Sequence, residues 1–240
     1  MTQPLPAPAV VPVDGMLRRR QILQLLLRYR RAGVFSALAQ QNGELPGELR
    51  TDPHTTDANP TRFVADLEAL GTTFVKLGQV LSTRPDMIPP AYLAALERMQ
   101  EKVAPVPVEQ IRAVIEAELG TPINKLFLAF DEVPLGCASI AQVHRAVLRD
   151  GREVAVKVQK PEVAAQLRTD LAVLRNFASA ADHLTWIGRR VRLSDWLAEF
   201  ARTLRMELDY EAEAANLQRF GQHLAPYLEL WVPQPILDLS

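Results

Sequence analysis

Residues Pro134–Pro161 read P-L-G-C-A-S-I-A-Q-V-H-R-A-V-L-R-D-G-R-E-V-A-V-K-V-Q-K-P. The pair Asp150-Gly151 lies between β-branched runs, and these are the two residue types that tolerate the positive φ angles of a type I′ turn, so the spacing predicts a β-hairpin. Alternation then sets the faces of the second strand. In Val154-Ala155-Val156-Lys157-Val158 the valines share the packed face, which puts Ala155 and Lys157 together on the opposite one, toward a cleft. The loop before the hairpin, Gly136-Cys137-Ala138-Ser139, carries only small side chains, so its backbone N–H groups could approach phosphate oxygens closely. Taken singly, a small-residue loop and a V-x-V-K-V strand are also ordinary hairpin composition.

A loop that covers phosphates, followed two strands later by an A-V-K lysine, is the layout of a protein-kinase small lobe. The glycine-rich G-x-G-x-x-G is missing, and Gly136 is the loop's one glycine. The blocks P-L-G-C-A-S-I-A-Q-V-H-R-A and V-A-V-K-V-Q-K-P resemble the alanine-rich loop and lysine strand of the AarF/UbiB family of atypical kinase-like proteins. Two further blocks agree. Lys76-Leu77-Gly78-Gln79 followed by L-S-T-R-P-D resembles that family's K-x-G-Q motif, and Glu207-Leu208-Asp209-Tyr210-Glu211-Ala212-Glu213-Ala214-Ala215-Asn216 resembles its E-x-D motif. The resemblance runs from about residue 60 to residue 240.

The resemblance implies an α+β fold, with a helical N-terminal extension ahead of a kinase-like small lobe of antiparallel sheet plus helices, and with the large lobe absent. It implies that Lys157 orients nucleotide phosphates and pairs with Glu213, the counterpart of a kinase helix-C glutamate. Gly136, Cys137, Ala138 and Ser139 would border ATP; Gly136 replaces the alanine more usual in the family, which bears on nucleotide selectivity. Lys76 and Gln79 would lie across the cleft on a helix that a standard kinase lacks, with Lys76 meeting Glu207 or Asp209. No H-x-D-x-x-x-x-N or D-F-G occurs, so the Mg²⁺ ligands are expected outside this chain, which reads as the N-terminal part of a longer kinase or ATPase. The family's association is with ubiquinone or other isoprenoid-lipid metabolism. The competing reading is a lipid- or partner-binding module built on a degenerate lobe.

Composition agrees with a folded chain and narrows the partners. The 240 residues are 48% hydrophobic with a net charge of −1, enough for one or two domains with a real core and without the charge imbalance of a nucleic-acid binder. The single cysteine, Cys137, cannot form an intrachain disulfide and reads as a small loop residue, consistent with a reducing, cytoplasmic location. No apolar run approaches the ~18 to 20 residues of a membrane span.

Along the chain, residues 1–15 form a proline-rich leader expected to be disordered. Residues 16–40 read as a basic amphipathic helix: Arg18, Arg19, Arg20, Arg28, Arg30 and Arg31 occur between Gly15 and Gly43 with no Asp, Glu or Lys, a local charge of +6. Such a helix suits an anionic membrane surface as well as it suits docking on its own domain with solvated arginines. Residues 41–60 read as a linker, 61–121 as the helical extension and 122–240 as the small lobe. Phe63, Leu67, Leu70, Phe74, Leu77 and Leu81 predict one helix of five turns, in which Gly78 would admit another backbone. Pro90 opens a short helix through Tyr92 and Leu96. A further helix begins after Pro107 and stops at Gly120. Leu126 to Val133 predicts a first strand. His144 reads as a hydrogen-bonded strand histidine. Two more helical stripes follow Pro161, the second running through Leu204 into the acids, with Asp209, Glu213, Asn216 and Phe220 on one face and Glu207 about 200° away from Asp209. Leu230 to Leu237 predicts an edge strand.

Overall fold

The computed structural model describes residues 15–29, 59–99, 104–184 and 192–239. The expected leader and linker lie outside this range except at their edges, as does the basic helix beyond Tyr29. Helices α1 (Gly15–Tyr29), α2 (Pro60–Leu70), α3 (Thr72–Ser82), α4 (Pro90–Leu96), α5 (Val108–Leu119) and α6 (Ile123–Leu126) come first. Strands β1 (Phe127–Phe130), β2 (Gly136–Cys137), β3 (Ala141–Leu148) and β4 (Glu153–Gln159) follow, then α7 (Val163–Leu184), α8 (Leu193–Glu207) and α9 (Tyr210–Leu224). The fold is therefore α+β, with a small antiparallel sheet among many helices.

Strand β3 organises the sheet. It pairs with β4 from Ala141↔Gln159 to Val147↔Glu153, and with both β1 and β2, so these two short strands share its other edge. The hairpin forms, but its turn differs from the type I′ expectation. Gly151 has φ +87, while among the described non-glycine residues only Glu162 and Arg192 have positive φ. Gly151 N–H donates to Leu148 O and Leu148 N–H to Arg152 O, both at 2.9 Å. This is a three-residue loop, a type I turn closed by a glycine bulge, which needs positive φ at Gly151 alone.

Two apolar cores result. One joins α1, α2, α3, α4, α7 and α8 around Ile22, Phe63, Leu67, Phe74, Leu171 and Phe200. The other packs α5 and α6 on the sheet through Ile111, Ile115, Phe127, Ala146 and Val158. Helix α5 starts after Pro107 and ends at Gly120 in the left-handed conformation, as its flanking residues dictate. Gln142, fully buried on β3, ties the segment before α5 to the sheet: its amide accepts from Val106 N–H and donates to Val106 O.

Three expectations are corrected. The stripe from Phe63 to Leu81 is two helices, broken at Gly71 with φ 87 and ψ −163. The break exposes the Leu70 carbonyl, and the Arg18 guanidinium donates to it at 2.6 Å. Gly78 makes room for side chains, not backbone: a Cβ there would stand 2.6 Å from Met99 Cε and 3.2 Å from Leu67 Cδ1. Leu230 to Leu237 forms no strand. Pro233 and Pro235 remove two ladder donors, and Ile236 packs against the second core instead.

Helix α1 is docked. Ile22, Leu25 and Tyr29 are buried in the first core, so the apolar face expected at a membrane is used internally. Arg18 is not solvated, being 7% exposed. It donates to both carboxylate oxygens of Asp170, which also accepts from the Thr73 hydroxyl at 2.6 Å. Arg28 and the Tyr29 hydroxyl both reach Asp66.

Candidate nucleotide site

The site begins with β-sheet register. Lys157 on β4 lies opposite Val143 on β3, and Val143 lies opposite Gly136 on β2. Directly opposed residues share a face, so Gly136, Val143 and Lys157 form one row, with the glycine and the lysine two strand spacings, about 10 Å, apart. On β4 the valines turn inward, Val158 buried and Val154 and Val156 packed against the second core. Ala155 and Lys157 are exposed on the other face. No atom would lie within 4 Å of a Cβ on Gly136, so the ground above the row is open at that end.

The loop's polar groups divide. Leu135 N–H donates to Val143 O at 2.7 Å and Ala138 N–H to Ala141 O at 2.9 Å, so these two donors serve the sheet. Gly136 and Ala138 are exposed, and Cys137 is half-buried with a free thiol. Ser139 is 1% exposed, and its carbonyl accepts from the Thr72 hydroxyl at 3.2 Å, which fastens the loop to the first turn of α3.

The acids come from a helix break. The expected single helix through Glu207 and Asp209 is instead α8 ending at Glu207 and α9 beginning at Tyr210. Asp209 is the N-cap: its carboxylate accepts from Ala212 N–H at 2.9 Å. A short polar side chain at the cap satisfies one of the orphan donors of the new helix. One turn on, Glu213 Oε2 meets Lys157 Nζ at 2.6 Å, with the two side chains 45% and 41% exposed. Lys157 Nζ also lies 4.7 Å from the centroid of the Tyr210 ring, within cation–π range. Burial, helped by the nearby Glu213 charge, pushes the Tyr210 hydroxyl up to about 12. That hydroxyl oxygen is buried and has no hydrogen-bond partner among the described residues.

A second ion pair stands on the other side of the break, Lys76 Nζ to Glu207 Oε2 at 3.2 Å, linking α3 to α8. Gln79 lies one turn further along α3, and its carbonyl accepts from the Ser82 hydroxyl at 2.7 Å. The structure therefore joins Lys157 to Glu213 and Lys76 to Glu207, and leaves Asp209 as a cap. His144 is structural: fully buried, stacked on Phe130, with Nδ1 2.8 Å from Asp131 O. Gln142 Nε2 faces its other nitrogen at 3.3 Å, which assigns the proton to Nδ1. Sequence reasoning gave Tyr210 no role. Its position three residues before Glu213 on a common helix face was the available signal.

A lysine on an open strand face, salt-bridged to a helix glutamate beside a small-residue loop, defines a protein-kinase-like small lobe. The model of the ABC1 atypical kinase-like domain matches residues 98–240, more than half of the chain, and the chain belongs to that family. A probable protein kinase UbiB from Xylella fastidiosa is 39% identical over 228 residues, covering 93% of this chain and 41% of the relative. One from Cellvibrio japonicus is 34% identical over 223 residues, covering 92% and 40%. The resemblance to AarF/UbiB proteins thus holds, and the chain spans about two-fifths of the length of these curated relatives. Among solved structures, Rv3197 of Mycobacterium tuberculosis in complex with erythromycin is similar, with TM-score 0.51 and 25% identity over 91% of this chain and 48% of that one.

Proposed function

We propose that this chain supplies the nucleotide-phosphate site of an atypical kinase or ATPase of the UbiB type. The observation that carries the reading is the Lys157–Glu213 pair at 2.6 Å, held in the same cross-strand row as the open loop glycine. The glutamate fixes the ammonium without burying it, so the lysine can take a phosphate as an additional ligand. Gly136 offers close backbone approach, and Val143 and Ala155 give the face an apolar floor beside the lysine. Lys76 and Gln79 border the cleft from α3, and the Lys76–Glu207 contact ties that helix to α8.

These residues suit the phosphates of a nucleotide. Among the described residues no three His, Cys, Asp or Glu side chains converge as metal ligands. ATP with Mg²⁺ is accordingly a property proposed for the whole protein, and no transfer step is assigned to this chain. The names of the relatives support a role in ubiquinone or other isoprenoid-lipid metabolism. Among the described residues no helix is long and apolar enough to cross a membrane.

Competition by ATP, ADP and adenosine against a fluorescent nucleotide tests the reading. Lys157→Ala should weaken ATP and ADP about tenfold or more, the worth of a charged hydrogen bond, and leave adenosine unchanged. Equal ATP affinity in the two proteins would overturn it and favour the non-catalytic module.

A further inference from the structure

Two borders of the phosphate site meet at one turn, Thr72-Thr73 at the start of α3. Gly71, at φ 87 and ψ −163, separates α2 from α3, and the two threonines after it serve different partners. Thr73 is fully buried, and its hydroxyl donates to Asp170 at 2.6 Å. Asp170 is fully buried as well and accepts from Arg18, whose guanidinium also donates to the Leu70 carbonyl. The turn is therefore fixed from the core side. Thr72 is half-buried, and its hydroxyl donates to Ser139 O at 3.2 Å. The rest of the loop is tied to the sheet, through Leu135 N–H to Val143 O, Ala138 N–H to Ala141 O and Lys160 N–H to Ile140 O. Thr72 brings a tie from a helix outside the sheet. One turn further along that helix, Lys76 reaches Glu207 at 3.2 Å.

We infer that Thr72 is a positioning residue for nucleotide phosphates, acting through the Ser139 carbonyl. The inference rests on the phosphate-site reading and names what sets the loop of that site. A carbonyl oxygen carries partial negative charge, and one turned into the cleft would oppose a phosphate. The Thr72 hydroxyl holds this oxygen toward α3 and so fixes the peptide plane that joins Ser139 to Ile140, at the end of the small-residue loop. Because Arg18, Asp170 and Thr73 fix the turn that carries Thr72, the loop takes its position from the helical core as well as from the sheet. Lys76 stands on the same helix, so the loop and the lysine that borders the cleft opposite it keep one spacing.

Competition by ATP, ADP and adenosine against a fluorescent nucleotide, in variants of the 240-residue chain, tests it. Thr72→Val keeps the shape of the side chain and removes the donor. It should weaken ATP and ADP about twofold to tenfold, the range for one hydrogen bond, and leave adenosine unchanged. Thr72→Ala removes the same donor without a branched side chain at the helix start and should repeat the loss. Thr72→Ser keeps the hydroxyl and should restore wild-type affinity. The control for helix stability alone is Thr83, whose hydroxyl donates to Val80 O at the other end of α3; Thr83→Val should leave ATP affinity unchanged. Wild-type ATP affinity in both Thr72→Val and Thr72→Ala overturns the proposal. So does a loss that adenosine shares, that serine does not repair or that Thr83→Val reproduces. Lys157→Ala measured alongside separates the two readings. If it weakens ATP and Thr72→Val does not, the role of Thr72 alone fails; if neither changes ATP, the phosphate site fails and this role falls with it.

Discussion

Arg18 and Asp170, 152 residues apart in sequence, form a two-pronged ion pair in the first core, with side chains 9% and 0% exposed. Phe74 lies under the guanidinium at 5.5 Å from its ring centroid. Breaking a buried pair from one side strands a charge, at a cost of about 3 to 5 kcal/mol. Asp170→Ala should lose stability of that order in urea denaturation. Replacing both residues with leucine should lose less than the single change, and a double variant whose loss equals the sum of the two singles would show that the pair is not coupled.

Gly78 gives a test of packing on α3. A glycine inside a helix costs about 1 kcal/mol relative to alanine, yet a Cβ here would collide with the end of Met99. Gly78→Ala alone is expected to gain little or nothing. In a Met99→Ala background the same change should recover most of that ~1 kcal/mol, read as the difference between two melting curves.

Tyr210 separates ring from hydroxyl. Tyr210→Phe keeps the face under Lys157 and removes a buried oxygen that has no partner among the described residues, so thermal stability should stay level or rise by up to about 1 kcal/mol. Tyr210→Leu removes the cation–π contact, worth about 0.5 to 1 kcal/mol at an exposed site. It should weaken nucleotide binding a few-fold where the phenylalanine does not. The comparison is made by titration of both variants at one salt concentration.

Asp182 links acidity to stability. Burial pushes its carboxyl up, but hydrogen bonds from the Ser194 hydroxyl, the Ser194 N–H and the Leu193 N–H outweigh burial and hold it below the usual carboxylate range. The two backbone bonds, at 2.9 and 3.0 Å, cap the start of α8 from the end of α7. A depressed folded value means that this stabilisation is present above the unfolded value of about 3.9 and is lost as pH falls through the folded one. Asp182→Asn should therefore flatten the fall of stability below about pH 4. Asp182→Ala should cost about 1 kcal/mol at neutral pH. A variant with the wild-type slope would show that the cap does not titrate.

The parts of the fold that were legible in the sequence are those ruled by local chemistry. Alternation put Lys157 on the open face of β4, proline and glycine bracketed α5, and the stripes Val163–Leu174 and Leu193–Leu204 became α7 and α8. The failures have tertiary causes. The stripe through Gly71 keeps its phase, so the break leaves no trace in the apolar pattern; Arg18 and Asp170 hold the broken ends from other helices. Asp209 looked like one acid of a charged face and is a cap, because two short helices meet there. Leu230 to Leu237 has strand composition, but Pro233 and Pro235 remove ladder donors and Ile236 packs on the second core instead. On α1 both faces carry leucine, and only the packing shows that Ile22 and Leu25 turn inward while Leu23 and Leu27 turn out.

Isothermal titration of ATP into the wild type, Lys157→Ala, Glu213→Ala and the double variant tests most directly whether Lys157, held by Glu213, is the phosphate ligand. Each single change should weaken ATP about tenfold or more, the lysine by losing the contact and the glutamate by releasing the ammonium, and the double variant should be little worse than Lys157→Ala. An ATP dissociation constant that is the same in Lys157→Ala as in the wild type would contradict the account.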